Sequence, residues 1–168
     1  MYPQMAAGAG EDEAYMSEHR ATISWKCTSP DFVKGRYSRE HTWTFDGGTV
    51  VPASPSPSVV PIPWSNPAHV DPEEAYVAAI SSCHMLTFLY LAGKEGFHID
   101  SYDDEAVGSM AKNERGVPWV SLVTLHPAIE YGGAKRPSAD DEARLHHAAH
   151  EQCFIAQSIK TEVVVQRG

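Results

Sequence analysis

The sequence contains few cysteines and few basic residues, and both shortages limit what the chain can be. Three cysteines in 168 residues are too few, and odd in number, for a disulfide scaffold, so we expect a reducing, cytoplasmic setting. Thirteen lysines and arginines stand against 22 acidic residues, which gives a net charge of −9. That sign argues against nucleic acid or an anionic membrane surface as a general partner.

Long apolar runs and targeting segments are also missing. No apolar run approaches 18 residues, so the sequence does not predict a transmembrane helix. The N-terminus lacks a basic region followed by an apolar segment, so we expect no signal peptide. Residues 1–16 are rich in small and acidic residues. We therefore expect a disordered leader at 1–16 and a single domain at 17–168.

The first third of that domain has the composition of a small sheet. Aromatic and β-branched residues at 20–27 and 36–45 predict two strands, and a third begins at 49–51. Cys27 then lies in the first strand, as a small buried hydrophobe. The next segment, 52–72, holds seven prolines, which predict a stiff, extended loop. Such a loop is either a linker or functional.

The clearest element is a helix that begins after Asp71. Asp71 is a good N-cap, Pro72 suits the first helical position, and Glu74 completes a capping box. The helix runs to about residue 92 and is apolar nearly all round. We expect it to be buried on most faces.

The remaining chain alternates strands with a second helix. A strand is predicted at 97–112 and its antiparallel partner at 119–131. Ser138 is predicted to cap a helix at 139–156, and 159–165 closes the chain as a strand. The hairpin connections are too short for parallel crossovers. The order βββ-α-ββ-α-β therefore predicts an α+β fold with antiparallel sheets.

Cys83 lies in the middle of the first helix, among polar neighbours. A cysteine on an apolar helix is ordinarily a core residue, but Ser81, Ser82 and His84 surround this one, and such groups need partners. A reactive cysteine acts as its thiolate, which a nearby positive charge or donor stabilises. His84 or an arginine from elsewhere could supply that charge.

A second cluster lies on the second helix. His146, His150 and Cys153 are spaced to share one helix face. With Cys83 or His84 as a fourth ligand they could hold zinc, although no established metal motif is present. We expect no metal or other cofactor and interpret the histidines as groups that are exposed or orient a thiol. A His/Cys metal-binding variant is the alternative.

The motif around Cys83 resembles the OsmC/Ohr family of osmotically inducible protein C and the organic hydroperoxide resistance proteins. The chain has Asp-Pro-Glu-Glu at 71–74, a run of small residues, Cys83, and a Gly-Phe strand entry at 96–97; Cys153 follows 70 residues after Cys83. The resemblance covers residues 17–166. It implies an OsmC-like fold, with antiparallel sheets wrapped around two central helices, in an intertwined homodimer.

The resemblance also implies site residues and a reaction. Cys83 would be the peroxidatic cysteine and Cys153 the resolving cysteine, within disulfide range of each other. Glu73 matches the glutamate that orients a catalytic arginine, a role assigned here to Arg39. The substrate would be an organic hydroperoxide, and a small dithiol or lipoyl-type group would be the reductant. A non-catalytic stress or small-molecule-binding protein on the same fold is the alternative.

The carboxylate and the arginine carry open questions. Glu73 lies ten residues before Cys83, ~15 Å along one helix, so it must act through a long side chain or from another subunit. In the family the arginine precedes the Pro-Glu motif, but residues 52–70 contain none. Arg39, Arg36 and a histidine are therefore all candidates for activating Cys83. Phe154 also stands where the family usually has proline after the second cysteine.

Overall fold

The computed structural model describes residues 17–166. The described residues divide into two compact units, one that ends at Val70 and one that begins at Asp71. The leader expected at 1–16 lies outside the described residues, and the single domain expected at 17–168 stays a prediction. The two units are described separately.

The first unit contains a three-stranded antiparallel sheet. The strands β1 (Ala21–Ser24), β2 (His41–Phe45) and β3 (Val50–Ala53) lie in the order β1-β2-β3. The three predicted strands are thus present, but β1 ends before Cys27. Cys27 is exposed, with its thiol donating to the Ser29 carbonyl. The prediction of a buried strand cysteine is wrong, because the chain has already left the sheet at this position.

The proline-rich segment after β3 forms an ordered loop without helix or strand, as predicted. Its two ends are joined, because the Ser54 amide donates to the Val70 carbonyl at 3.0 Å. The buried Ser54 hydroxyl also accepts from the Asn66 amide at 2.8 Å. These bonds satisfy backbone groups that the prolines leave without sheet partners.

The second unit begins with helix α1 (Pro72–Lys94). The predicted capping box is confirmed: the Glu74 amide donates to Asp71 Oδ1 at 2.7 Å, and Glu74 Oε2 accepts from the Asp71 amide at 3.0 Å. The buried residues of α1 form a single stripe at every fourth position: Ile80, His84, Phe88 and Ala92. The prediction that most faces of the helix are buried is therefore wrong for this structure.

Helix α1 also differs from the sequence expectation about membranes. Among the described residues it is the one helix long and apolar enough to cross a membrane, judged by length and composition alone. The sequence expectation overlooked it because polar residues interrupt the apolar run. One such helix is weak evidence, since the core helix of a soluble protein meets the same criterion.

The two long strands predicted after α1 are each divided in two. They form β4 (His98–Asp104), β5 (Val107–Lys112), β6 (Pro118–Leu125) and β7 (Pro127–Gly132). β4 pairs with β7 in one sheet and β5 with β6 in another. The division occurs at Asp104, whose carboxylate accepts from the His126 amide at 2.6 Å and from the Ser81 hydroxyl at 2.5 Å. The Asp104 side chain thus takes the place of a backbone hydrogen bond between strands at the point where the chain passes from one sheet to the other.

The end of the chain adds two further differences. Strand β8 (Glu162–Val165) pairs with β6 in parallel. The antiparallel prediction was wrong here because β7 and the helices between β6 and β8 make a connection long enough for a parallel pair. The second predicted helix is also broken, into α2 (Ala139–Gln152) and α3 (Phe154–Gln157). Cys153 stands between them in an extended conformation, with φ −74° and ψ 114°.

The core of the second unit has two parts. Phe88 and Ala92 of α1 pack with Phe97 and with Leu145 and Ala149 of α2. A second cluster joins α1 to the sheet, through Ile80, Val123 and Leu125. Because α1 contributes to both clusters, it fixes the positions of α2 and of the sheet around it.

Candidate active site

The two cysteines proposed from the sequence lie in contact. Cys83, in the middle of α1, and Cys153, between α2 and α3, have their sulfur atoms 2.6 Å apart, and the Cys153 thiol is the donor. Both are free thiols. The prediction that these residues approach within reach of a disulfide is confirmed by the sulfur distance.

The environments of the two thiols differ. Cys153 is fully buried, whereas Cys83 is partly exposed. Burial, reinforced by the hydrogen bond to Cys83, raises the pKa of the Cys153 thiol to about 11. Cys153 therefore keeps its proton at neutral pH and donates it toward Cys83.

The helix break positions Cys153. Because Cys153 ends α2 and begins α3, its sulfur accepts a hydrogen bond from the Ala156 amide at 3.4 Å. The sulfur takes the position that a serine or aspartate oxygen occupies at an ordinary helix N-cap. A single continuous helix over 139–156, as predicted, would not present the residue in this way.

His84 does not supply the positive charge that the sequence suggested. It is 1% exposed. Burial, together with the nearby His150, lowers its pKa to about 4, against an opposing contribution from Asp104. His84 is therefore neutral at pH 7. Its Nε2 lies 3.0 Å from Nδ1 of His146 on α2, so the two histidines pair with each other.

The histidine face of α2 is not arranged as a metal site. Among residues 17–166, no group of three or more histidine, cysteine or acidic side chains is positioned to hold a metal ion. His146 turns toward His84, and Cys153 toward Cys83. His147, next to His146, is exposed and pairs with Glu151 at 3.3 Å. The metal-binding alternative has no support in this geometry.

Glu73 lies at one end of a groove on the second unit. The groove has a volume of about 760 Å³ and is lined by the first turn of α1, by Ser82 and Met85, and by Tyr102 and Met110. Glu74 makes the capping hydrogen bond, so Glu73 is not needed for that role. Glu73 and Cys83 lie ten residues apart on α1, and the role of Glu73 stays a prediction.

Arg39 belongs to the first unit. Its guanidinium donates to the carbonyl oxygens of Gly35 and Tyr37, at 3.0 and 2.7 Å, and lies 3.9 Å above the Tyr37 ring. These contacts hold the side chain against its own segment. The pairing of Arg39 with Cys83 or Glu73 stays a prediction.

Two features of the site were not predicted from the sequence. One is the His84–His146 pair. The sequence does place His84 in an apolar helix and His146 on one face of the second helix, but it does not indicate that they contact each other. The other is Asp104, whose bond to Ser81 satisfies one of the polar neighbours of Cys83. An acidic residue inside a strand-like run was the available signal.

Comparison with known proteins decides the family. The sequence profile of the OsmC-like proteins matches residues 65–167. The chain belongs to the OsmC family. This chain is similar to an OsmC-like protein of unknown function from Vibrio cholerae, with 50% identity and a TM-score of 0.88. The match covers 91% of this chain and 100% of the Vibrio cholerae chain. The α+β, OsmC-like fold expected from the sequence is therefore confirmed.

More distant relatives share the fold. An organic hydroperoxide resistance protein from Legionella pneumophila has 14% identity and a TM-score of 0.65, over 90% of this chain and 96% of its own. The organic hydroperoxide resistance protein OhrB of Bacillus subtilis has 18% identity and a TM-score of 0.64, over 90% and 98%. No curated protein sequence matches the chain. Both of these solved structures have the same fold as this chain.

Proposed function

We propose that this OsmC-family protein is a thiol peroxidase that reduces organic hydroperoxides through Cys83 and Cys153. The observation that carries the proposal is the contact between the two sulfur atoms, 2.6 Å apart and held by different elements. A contact this close between two thiols allows a disulfide to form with little movement of the chain.

The difference in exposure assigns a role to each thiol. Cys83, the more accessible one, attacks the outer oxygen of the hydroperoxide as a thiolate. The O–O bond breaks, the alcohol leaves after taking up a proton, and Cys83 becomes a sulfenic acid. The Cys153 sulfur then attacks the Cys83 sulfur. The S–O bond breaks, and hydroxide leaves as water with the proton of Cys153.

The resulting disulfide must be reduced before the next cycle. We assign this step to a small dithiol or lipoyl-type group in a reducing, cytoplasmic setting, where exchange proceeds through a mixed disulfide. Cys83 is the accessible sulfur for that attack, since Cys153 is buried. The two electrons taken from the reductant equal the two that pass to the hydroperoxide.

We further propose that the protein acts as a homodimer in which Glu73 and an arginine complete the site. Exposed residues of α1 form a stripe opposite the buried one, at Ala78, Ser82, Leu86 and Tyr90. Leu86 and Tyr90 are 43% and 46% exposed in the protomer. Apolar surface of this kind favours a protein partner. Arg39 is the proposed arginine, and Arg36 is its competitor.

Counting thiols tests the proposal. We expect one equivalent of cumene hydroperoxide to remove two titratable thiols from the wild-type protein and to yield one equivalent of alcohol. Cys83→Ser should abolish both changes. Cys27→Ser is the matched control, because Cys27 is an exposed cysteine outside the pair and should leave the loss at two. An unchanged thiol count in the wild type would reject the peroxidase.

A binding protein on the same fold is the second candidate. The groove of about 760 Å³, with apolar side chains such as Val77, Met85 and Val120 along it, favours this possibility. The thiol count separates the two, because a binding protein would keep all its thiols after the peroxide is added.

A further inference from the structure

We propose that the hydrogen bond between His84 and His146 is a clamp that fixes α2 against α1 and so holds Cys153 on Cys83. Both histidines are then positioning residues for the dithiol. The inference rests on the proposed function of Cys83 and Cys153 as a redox pair. It assigns a role to two buried polar groups that the reaction itself does not use.

The pair is buried and closely packed. His84 is 1% exposed and His146 is 4% exposed. Nε2 of His84 lies 3.0 Å from Nδ1 of His146, and the ring planes are 10° apart. The Phe88 ring stacks on His146 with 4.3 Å between centroids. The two imidazoles are therefore held on both helices by the surrounding core.

The histidine pair and the cysteine pair join the same two helices. Cys83 directly precedes His84 on α1, and Cys153 lies seven residues after His146, ~10 Å along α2. Cys153 is the residue at which α2 ends. The end of a helix is where its position is least fixed, so the sulfur contact depends on a contact further back along α2.

A hydrogen bond suits this task better than apolar packing. Apolar side chains such as Phe88 and Leu145 tolerate small displacements of one helix along another, because their contacts are not directional. A bond between two ring nitrogens is lost within about 1 Å of movement. Two imidazoles in an apolar core cost desolvation free energy, and the alignment they specify gives a reason for their presence.

Burial keeps the pair in its bonded form. One histidine must donate and the other accept, so at least one ring must be neutral. The titratable groups that act on His84 are His146 and His150 from α2 and Asp104 from β4. Burial outweighs Asp104 and lowers the pKa of His84. The bond therefore persists at neutral pH.

The test measures the disulfide equilibrium with dithiothreitol. Oxidised dithiothreitol takes two electrons and two protons from Cys83 and Cys153, and the protein disulfide forms. The key comparison is His84→Gln against His84→Asn. Both substitutions are polar, but only the glutamine amide reaches the position of Nε2. His147→Gln is the control, because His147 is an exposed histidine on α2, next to His146.

We expect the equilibrium constant for disulfide formation to fall roughly tenfold or more in His84→Asn, since a misaligned thiol has a lower effective concentration. His84→Gln and His147→Gln should stay within about threefold of the wild type. Equal constants for His84→Asn and His84→Gln would overturn the clamp and leave the peroxidase intact. If the wild-type disulfide does not form at all, the proposed function fails, and the clamp with it.

Discussion

At the scale of single residues, burial divides the chemistry between the two thiols. The same low-polarity surroundings raise the pKa of Cys153 and lower the pKa of His84, because in both cases the charged form is disfavoured. Cys153 stays a thiol and His84 stays neutral. Cys83, which is partly exposed, is the thiol left to react with solvent-borne molecules.

His84 makes stability depend on pH in a defined window. Its pKa is 6.5 ordinarily and about 4 in the folded protein, so the unfolded chain binds a proton first as the pH falls. The stability that neutral His84 contributes is fully present above pH 6.5 and is lost as the pH falls through 4. The loss amounts to about 3 kcal/mol.

Urea unfolding at pH 7 and pH 4 measures this loss. His84→Gln should reduce the drop in unfolding free energy between the two pH values, because glutamine does not titrate. His147→Gln removes an exposed histidine and should leave the drop unchanged. An identical drop in the wild type and in His84→Gln would contradict the assignment.

At the scale of elements, capping was predictable and strand continuity was not. The start of α1 followed from Asp71, Pro72 and Glu74 because a helix cap is local chemistry. The division of the long strands at Asp104 depends on an amide 22 residues away, and no local pattern reports that. The break of the second helix at Cys153 was missed for a similar reason, because a tertiary contact of its sulfur accompanies the break.

The same distinction holds for the candidate site. The contact between Cys83 and Cys153 was predicted from the family resemblance. A family motif carries information about tertiary structure, which the periodicity of a single helix does not. The partner of His84 could not be predicted, since it depends on how α2 is rotated about its axis. Cys27 was misjudged because strand propensity does not say where a strand ends.

The exposed stripe of α1 leads to a prediction about assembly. A charge at Leu86 would have to be buried in an apolar interface, so Leu86→Glu should raise the dimer dissociation constant roughly tenfold or more. Gln152→Glu adds the same charge at an exposed position of α2 and serves as the control. Sedimentation at several protein concentrations gives the constant. A wild-type protein that is monomeric throughout would contradict the proposed dimer.

At the scale of the whole molecule, the dithiol links distant parts of the sequence. Cys83 and Cys153 are 70 residues apart, and a cross-link between them would close a loop that contains β4 to β7 and α2. The chain entropy removed from the unfolded state by a loop of this length stabilises the folded state by about 4 kcal/mol. The redox state of the protein should therefore be visible in its stability.

Thermal unfolding of the oxidised and reduced protein checks this expectation. We expect a higher melting temperature after oxidation with one equivalent of diamide, and no change in Cys153→Ser treated in the same way. Cys27→Ser should behave like the wild type. A melting temperature that is the same in both redox states would mean that the cross-link strains the fold as much as it restricts the unfolded chain.

The helix break at Cys153 determines which sulfur can adjust its position. Cys83 lies within a 23-residue helix that contributes to both core clusters, so the position of its backbone is fixed. Cys153 stands at a joint between two helices, and its ψ angle can rotate without unwinding either of them. In the proposed cycle, any adjustment between the two sulfur atoms would therefore fall on Cys153 and on the four residues of α3 rather than on α1.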